Sequence, residues 1–102
     1  MKTSGKYILK GHLPVEEHDL MKWARWFETA KRRVAFTQIK KVDISTVFLG
    51  MDYNFIGEGE PVLFETMIFG GKYNEYQQRY STWEEAENGH KEAVNLVKNH
   101  ET

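Results

Sequence analysis

The chain has 102 residues, of which 40% are apolar and 28% charged, so it has the size and composition of one globular domain and is too apolar for a disordered protein. It contains no cysteine, which excludes a disulfide framework, a thiolate metal site and a thiol nucleophile. The 14 basic and 15 acidic residues nearly cancel, so no overall field draws the chain to nucleic acid or to an anionic membrane.

No segment indicates export or a membrane anchor. No apolar run approaches the roughly 18 to 20 residues of a transmembrane helix, and Met1–Lys10 lacks the apolar stretch of a signal peptide. We therefore expect a cytoplasmic protein with no membrane partner. A group of five basic residues lies at the two ends of a short apolar segment. Because the charge of the whole chain is balanced, this group does not predict a nucleic-acid partner. It consists of Lys31, Arg32, Arg33, Lys40 and Lys41.

The first third of the chain predicts a strand and then a helix. Lys6–Lys10 fits a short edge strand closed by Gly11. From Val15 to about Lys31 the apolar period becomes helical. The arc that should face the core contains Leu20, Trp23, Ala24, Phe27 and Ala30. Trp26 falls on the flank of this arc, so it is either a half-buried core residue or an exposed anchor, and it is the candidate partner-binding residue.

Strands dominate the middle of the chain. Three segments rich in β-branched and aromatic residues predict strands at Arg33–Ile39, Val42–Tyr53 and Val62–Phe69. The loop Asn54–Pro61, with two glycines and a proline, favours a hairpin between the last two. A short fourth strand is predicted at Tyr76–Tyr80.

A second amphipathic helix is predicted from Trp83 to about Lys98. Its start has the spacing of a capping box, formed either by Ser81 with Glu84 or by Thr82 with Glu85. The whole chain therefore predicts a single α+β domain. We expect a three- to four-stranded, mainly antiparallel sheet with both amphipathic helices packed on one face, in the order β-α-β-β-β-(β)-α. In this arrangement Trp23, Phe27 and Trp83 are core residues and Trp26 is partly exposed.

Three polar residues are candidates for a ligand site or a polar core cluster. His90 lies in the middle of the apolar arc of the last helix, which predicts burial. Glu65 shares one face of its strand with the apolar residues Leu63, Met67 and Phe69. It therefore lies near a sheet edge, pairs with an arginine, or has a raised pKa. The candidate arginines are Arg25, Arg33 and Arg79. Asp52 ends the preceding strand and fits a turn residue. Together, the side chains of Asp52, Glu65 and His90 are the smallest set that acid–base chemistry or a hard-metal site needs.

His90 has two opposite expectations for its pKa. Burial alone lowers the pKa of an imidazole, whereas an adjacent ionised Glu65 or Asp52 raises it. We favour the carboxylate neighbour, because it also accounts for Glu65 in an apolar row. Since no short fixed spacing links the three residues, no catalytic residue, metal or cofactor is predicted.

Recognisable enzyme and nucleic-acid motifs are absent from the sequence. There is no glycine-rich phosphate loop, no His-Glu-x-x-His and no Gly-x-Ser-x-Gly. The order helix, three strands, helix superficially matches a double-stranded-RNA-binding domain. However, the last helix begins Trp83-Glu84-Glu85-Ala86-Glu87, and this acidic start would repel the phosphates that such a helix must meet.

Four ordered motifs resemble a family of small uncharacterised proteins encoded by phages and prophages. The motifs are Trp23–Glu28, Ser45–Asp52, Leu63–Gly71 and Arg79–His90. The resemblance implies a phage or prophage accessory protein and no particular reaction. Related proteins often have histidine after the aspartate, where this chain has Tyr53, so an Asp-His metal site would have lost a ligand here.

These observations favour a non-enzymatic binding protein that acts on a host or phage protein in the host cytoplasm. The alternative is a small-ligand or hydrolytic site around Glu65, Asp52 and His90. The free face of the sheet discriminates between them: an apolar patch there favours binding or self-association, and a closed cavity holding the three residues favours a ligand. Homodimerisation is a further hypothesis, because both faces of Val62–Phe69 are apolar.

Overall fold

The computed structural model describes residues 3–101, which form two antiparallel sheets and two helices. The elements in chain order are β1 (Tyr7–Lys10), β2 (Leu13–Glu16), α1 (Leu20–Thr29), β3 (Arg33–Ile39), β4 (Val42–Phe48), β5 (Phe64–Phe69), β6 (Gln77–Tyr80) and α2 (Trp83–Glu101). The α+β class and the helices packed on one face of a four-stranded sheet confirm the predicted architecture.

The amino-terminal segment differs from its prediction. Instead of one strand followed by a helix from Val15, β1 and β2 form a separate hairpin whose turn contains Gly11 at φ +62°. Helix α1 begins only after Asp19, whose side chain accepts hydrogen bonds from the N–H groups of Met21 and Lys22. Asp19 thus fixes the helix start, because it satisfies two N–H groups that have no partner within the helix.

The larger sheet has the strand order β3-β4-β5-β6, with every neighbouring pair antiparallel. Strand β4 ends at Phe48, earlier than the predicted Tyr53. Gly50 follows at φ +78°, and a β-carbon there would collide with the ring of Phe27. A glycine is therefore required where α1 crosses the end of the sheet, because only glycine tolerates both the backbone angle and the close approach.

One face of the sheet is buried under α2. The buried strand residues alternate along β4 and β5: Val42, Ile44, Thr46, Phe48, Phe64, Thr66 and Ile68. The α2 residues against them are Ala86, His90, Ala93 and Val97, so His90 lies on the buried side of this helix, as predicted. The register Thr46↔Thr66 places one polar pair in the middle of this otherwise apolar face.

Three aromatic residues of the helices, Trp23, Phe27 and Trp83, are less buried than predicted. Trp23, Trp26, Phe27 and Trp83 are all half-buried. The indole Nε1 of Trp23 donates to the carbonyl oxygens of Tyr7 and Gly50 at 3.1 and 3.0 Å, which ties α1 to the hairpin and to the end of β4. The prediction of core positions for Trp23, Phe27 and Trp83 was therefore wrong in degree. Helix α1, which carries Trp23 and Phe27, covers only one end of the sheet, and Trp83 lies in the first turn of α2, where its ring meets Phe64 edge-on and stacks on His12.

Candidate functional site

His90 is buried in the core, as predicted, and its two ring nitrogens contact threonines of two strands. Its Nδ1 lies 2.7 Å from Thr46 Oγ1, and its Nε2 lies 2.9 Å from Thr37 Oγ1. Thr46 Oγ1 also hydrogen-bonds Thr66 Oγ1. A neutral imidazole donates from one nitrogen and accepts at the other, and a hydroxyl can take either role. The network therefore satisfies the buried imidazole without any charged partner.

The favoured expectation of a carboxylate beside His90 was wrong. Burial lowers the pKa of His90, because the charged imidazolium would lose its hydration without an opposite charge to compensate. The residue is only 5% exposed and Thr46 is fully buried. Both ring nitrogens are thus hydrogen-bonded to hydroxyl groups, Nδ1 to the fully buried Thr46 and Nε2 to the half-buried Thr37, so the imidazole is engaged within the core.

Glu65 lies on the other side of the sheet from His90. Consecutive residues of a strand point to opposite faces, and the neighbouring Thr66 points toward α2. The carboxylate Oε2 of Glu65 accepts a 2.9 Å hydrogen bond from Nε of Arg79, its cross-strand partner. Of the arginine partners considered from the sequence, Arg79 is the one found.

Asp52 is a turn residue, as its position suggested. Its Oδ1 accepts hydrogen bonds from the N–H groups of Asn54 and Val62, each at 2.8 Å. The carboxylate thereby joins the two ends of the loop between β4 and β5. Its role in this geometry is to satisfy main-chain donors, which favours the turn interpretation over a ligand site.

The structure does not bring Asp52, Glu65 and His90 together, so the interpretation of these residues as one cluster was wrong. The sheet separates Glu65 from His90, and Asp52 is held at the loop. Within residues 3–101 no group of three histidine, aspartate or glutamate side chains could hold a metal ion. A sequence without fixed spacing between such residues cannot fix their distance, because strand direction and face decide it.

A cleft in the described part of the chain lies away from these three residues. It has a volume of about 380 Å³ and is bounded by the end of β6 and the first turns of α2, including Tyr80, Glu85 and Glu92. Burial raises the pKa of Tyr80 at its floor. The carboxylate of Glu85 already accepts from the N–H groups of Ser81 and Thr82 in a capping box. None of the three candidate residues lines this cleft.

The face of the sheet opposite α2 is open except near Arg79, whose guanidinium lies 4.9 Å from the centre of the Tyr53 ring. Within residues 3–101 neither helix covers it, and its large apolar side chains are Phe36, Val47, Met67 and Phe69. We call these four residues the open-face patch. Phe36 is 43% exposed and Phe69 48% exposed. The cross-strand register places small Ser45 between Phe36 and Met67, so the patch crosses three strands.

Part of this surface could be read from the sequence and part could not. The alternation along β5 assigned Met67 and Phe69 to one face. Phe36 was missed, because alternation alone does not say which face of an edge strand is covered. The bulge between Arg33 and Ala35 also interrupts the alternation and turns Val34 toward the core. The structure decides this by placing both helices on the side of Thr37.

Trp26, the candidate partner-binding residue, lies apart from the open-face patch. Its ring meets Phe48 edge-on at 5.8 Å, on the buried face of the sheet. It belongs to the apolar cluster that also contains Leu63 and Ala86. The half-buried core position was one of its two interpretations, and this packing favours it over an exposed anchor.

Two further observations concern the chain as a whole. Among residues 3–101, no helix combines the length and the apolar character needed to cross a bilayer. Comparisons of the chain with protein-family models, with curated proteins and with solved structures found no match.

Proposed function

We propose that this chain is a non-enzymatic binding protein and that the open-face patch is where it contacts another protein. The observation that carries the proposal is the pair of exposed rings, Phe36 and Phe69, on a sheet face that the described helices leave uncovered. Exposed apolar surface of this kind is typical of interaction sites, and aromatic residues are enriched in the centres of interfaces.

The surroundings of the patch support recognition of a protein. Glu65 and Arg79 pair across β5 and β6, and Gln38 donates to Asp43 at 2.8 Å across β3 and β4. These pairs place polar groups beside the apolar residues, and Asp43 is itself the cross-strand partner of Phe69. Protein interfaces combine apolar contacts with hydrogen bonds from neighbouring polar groups.

The alternative ligand or hydrolytic site has less support. It needs Glu65, Asp52 and His90 in one cavity, whereas each of them is engaged with separate partners. An accessory role in a phage-infected cell and a host or phage protein as partner are part of the proposal. Their support is the resemblance of the four sequence motifs to phage and prophage proteins.

Site-specific photo-cross-linking tests the surface. A benzoylphenylalanine placed at Phe69 should give a discrete adduct in an extract of infected bacteria, and excess unlabelled wild-type protein should suppress it. A Phe69→Ser competitor should suppress it less, because it lacks the exposed ring. The matched control carries the same group at Glu87, an exposed residue of α2. Equal adducts from the two positions, or none from residue 69, would contradict the proposal, and an adduct of twice the chain mass would identify a second copy.

A further inference from the structure

We infer that the partner adds an extended, acidic segment to the free edge of β3, extending the four-stranded sheet by one strand. This inference rests on the proposed protein-binding function and specifies the partner's chemistry. Phe36 connects the proposed binding surface with this edge, because it belongs both to the open-face patch and to the edge strand β3.

Strand β3 is an edge of the larger sheet and is seven residues long, whereas the opposite edge strand, β6, has four. The N–H of Phe48 donates to the carbonyl of Arg32, so this side of β4 faces β3. Thr46, two residues earlier, has the same orientation, and its cross-strand partner is Ala35. Because orientation alternates along antiparallel strands, Phe36 and Gln38 turn their N–H and C=O groups outward.

The charge along β3 and at its two ends is basic, and the acidic residue beside it is Asp43 of β4, which accepts a hydrogen bond from Gln38. Residues 31–41 contain five basic residues and no acidic one, leaving nine basic and 15 acidic residues in the rest of the chain. Lys31, Arg32 and Arg33 stand at the start of β3, and Lys40 and Lys41 form the two-residue turn at its end. A strand added here would run between two positive ends, which favours an acidic segment.

A second copy of the chain fits this edge poorly. In a two-fold antiparallel pairing the start of one β3 meets the end of the other, and both ends are basic. A parallel pairing also places basic residues side by side. Lysine at an edge strand is a known means of preventing such self-pairing, so the charges that disfavour a second copy favour an acidic partner.

An extended peptide also fits better than a nucleic-acid strand. The edge presents both N–H donors and C=O acceptors, and a peptide backbone complements both in a ladder. Phosphate oxygens accept hydrogen bonds but donate none. On the open face, the guanidinium of Arg33 lies 4.6 Å from the centre of the Phe36 ring. The incoming segment therefore meets an apolar ring and a positive charge side by side.

Amide hydrogen exchange measured by NMR tests this inference directly. The probe is an alternating Glu-Val peptide of the same length as β3, seven residues. It should slow exchange of the Phe36 and Gln38 amides by about tenfold or more, because these N–H groups enter a ladder. The amides of Gln77 and Arg79, which face outward on the opposite edge, are the internal control and should not change. A Lys-Val peptide, and the Glu-Val peptide N-methylated at every second residue, should give no protection.

Charge reversal provides the second arm. Lys31→Glu with Lys41→Glu should weaken binding of the Glu-Val peptide by about tenfold or more. Lys22→Glu with Lys91→Glu makes the same change in net charge at exposed helix positions and should leave binding within about twofold. These substitutions are at exposed side chains, so loss of folding does not confuse the result.

Several outcomes would overturn the inference. If the Glu-Val peptide does not slow exchange of the Phe36 and Gln38 amides, or if the Lys-Val peptide slows it equally, the inferred acidic strand is contradicted. Protection by a single-stranded oligothymidylate but not by the peptide makes the edge a nucleic-acid surface, and protection that rises with protein concentration alone makes it a self-association surface. A cross-link from residue 69 without any protected β3 amide would retain the proposed binding function and reject only this mode of binding.

Discussion

The phenol ring of Tyr80 lies against the α-carbon of Gly89, in the space that a β-carbon at residue 89 would occupy. Gly89 is in the interior of α2, where glycine is less favourable than alanine by about 1 kcal/mol. The contact gives the reason for a glycine at this position: it lets the helix approach β6 closely enough for Tyr80 to pack beneath it.

Gly89→Ala should therefore destabilise the domain, although alanine is the better helix former. We expect the free energy of unfolding in urea to fall by about 1–3 kcal/mol, the usual cost of overpacking. Asn88→Ala, at the exposed neighbouring position, is the control and should leave stability unchanged or slightly higher. An increase in stability of Gly89→Ala comparable to that of the control would show that the Tyr80 ring moves aside without cost.

His90 should make stability depend on pH in one direction. Its pKa is lowered in the folded chain, so the unfolded chain takes up the proton first as the pH falls. The stabilisation is fully present above the unfolded pKa of about 6.5 and is lost as the pH falls from there toward the folded pKa. Urea unfolding of the wild type between about pH 5 and 8 should show this loss, and His90→Gln should not.

The control for this pH dependence is His18→Gln, because the His18 side chain is 64% exposed. This variant should retain the wild-type decrease in stability below about pH 6.5. A decrease of the same size in His90→Gln would assign the pH dependence to other groups. An unfolding free energy that increases as the pH falls would instead indicate an ionised carboxylate next to His90.

Thr46 should be the most sensitive member of the threonine network. Its hydroxyl contacts both His90 Nδ1 and Thr66 Oγ1 and is fully buried. Thr46→Val keeps the shape of the side chain but removes a hydrogen-bond partner from both His90 Nδ1 and Thr66 Oγ1. We therefore expect a loss of about 1–3 kcal/mol in unfolding free energy. Thr37→Val is the matched comparison, because Thr37 is only half-buried and water can replace its hydroxyl. Equal losses would indicate that His90 depends on both contacts alike.

Asp52 and Glu65 should differ although both are acidic and partly buried. Asp52→Ala removes the acceptor of two main-chain N–H groups and should cost about 1–3 kcal/mol of unfolding free energy. Glu65→Gln keeps an oxygen acceptor for Arg79, whose side chain is 36% exposed, and should change stability by less than about 1 kcal/mol. A larger loss of unfolding free energy for Glu65→Gln than for Asp52→Ala would show that Glu65 has a structural role that its single ion pair does not explain.

The local patterns of the sequence predicted the main strands and α2 because each depends on neighbours in the chain. The capping box is an example: of the two alternatives, Thr82 and Glu85 form it, with Glu85 N–H donating to Thr82 Oγ1 at 3.1 Å. The hairpin was missed at Leu13–Glu16, since Val15 happens to continue the helical spacing of α1. Asp19 could have signalled the later start, because aspartate is a preferred residue immediately before a helix.

The sequence by itself determined that His90 is buried, that Glu65 interrupts an apolar row and that Asp52 belongs to a turn. Helical and strand periods assign each residue to a face, and burial follows from the face. Only the tertiary structure decided what each residue meets. The register Thr46↔Thr66 and the position of α2 give His90 hydroxyl partners, while the neighbouring Glu65 points away to Arg79. Contacts between distant segments depend on register and packing, and no local period encodes either of them.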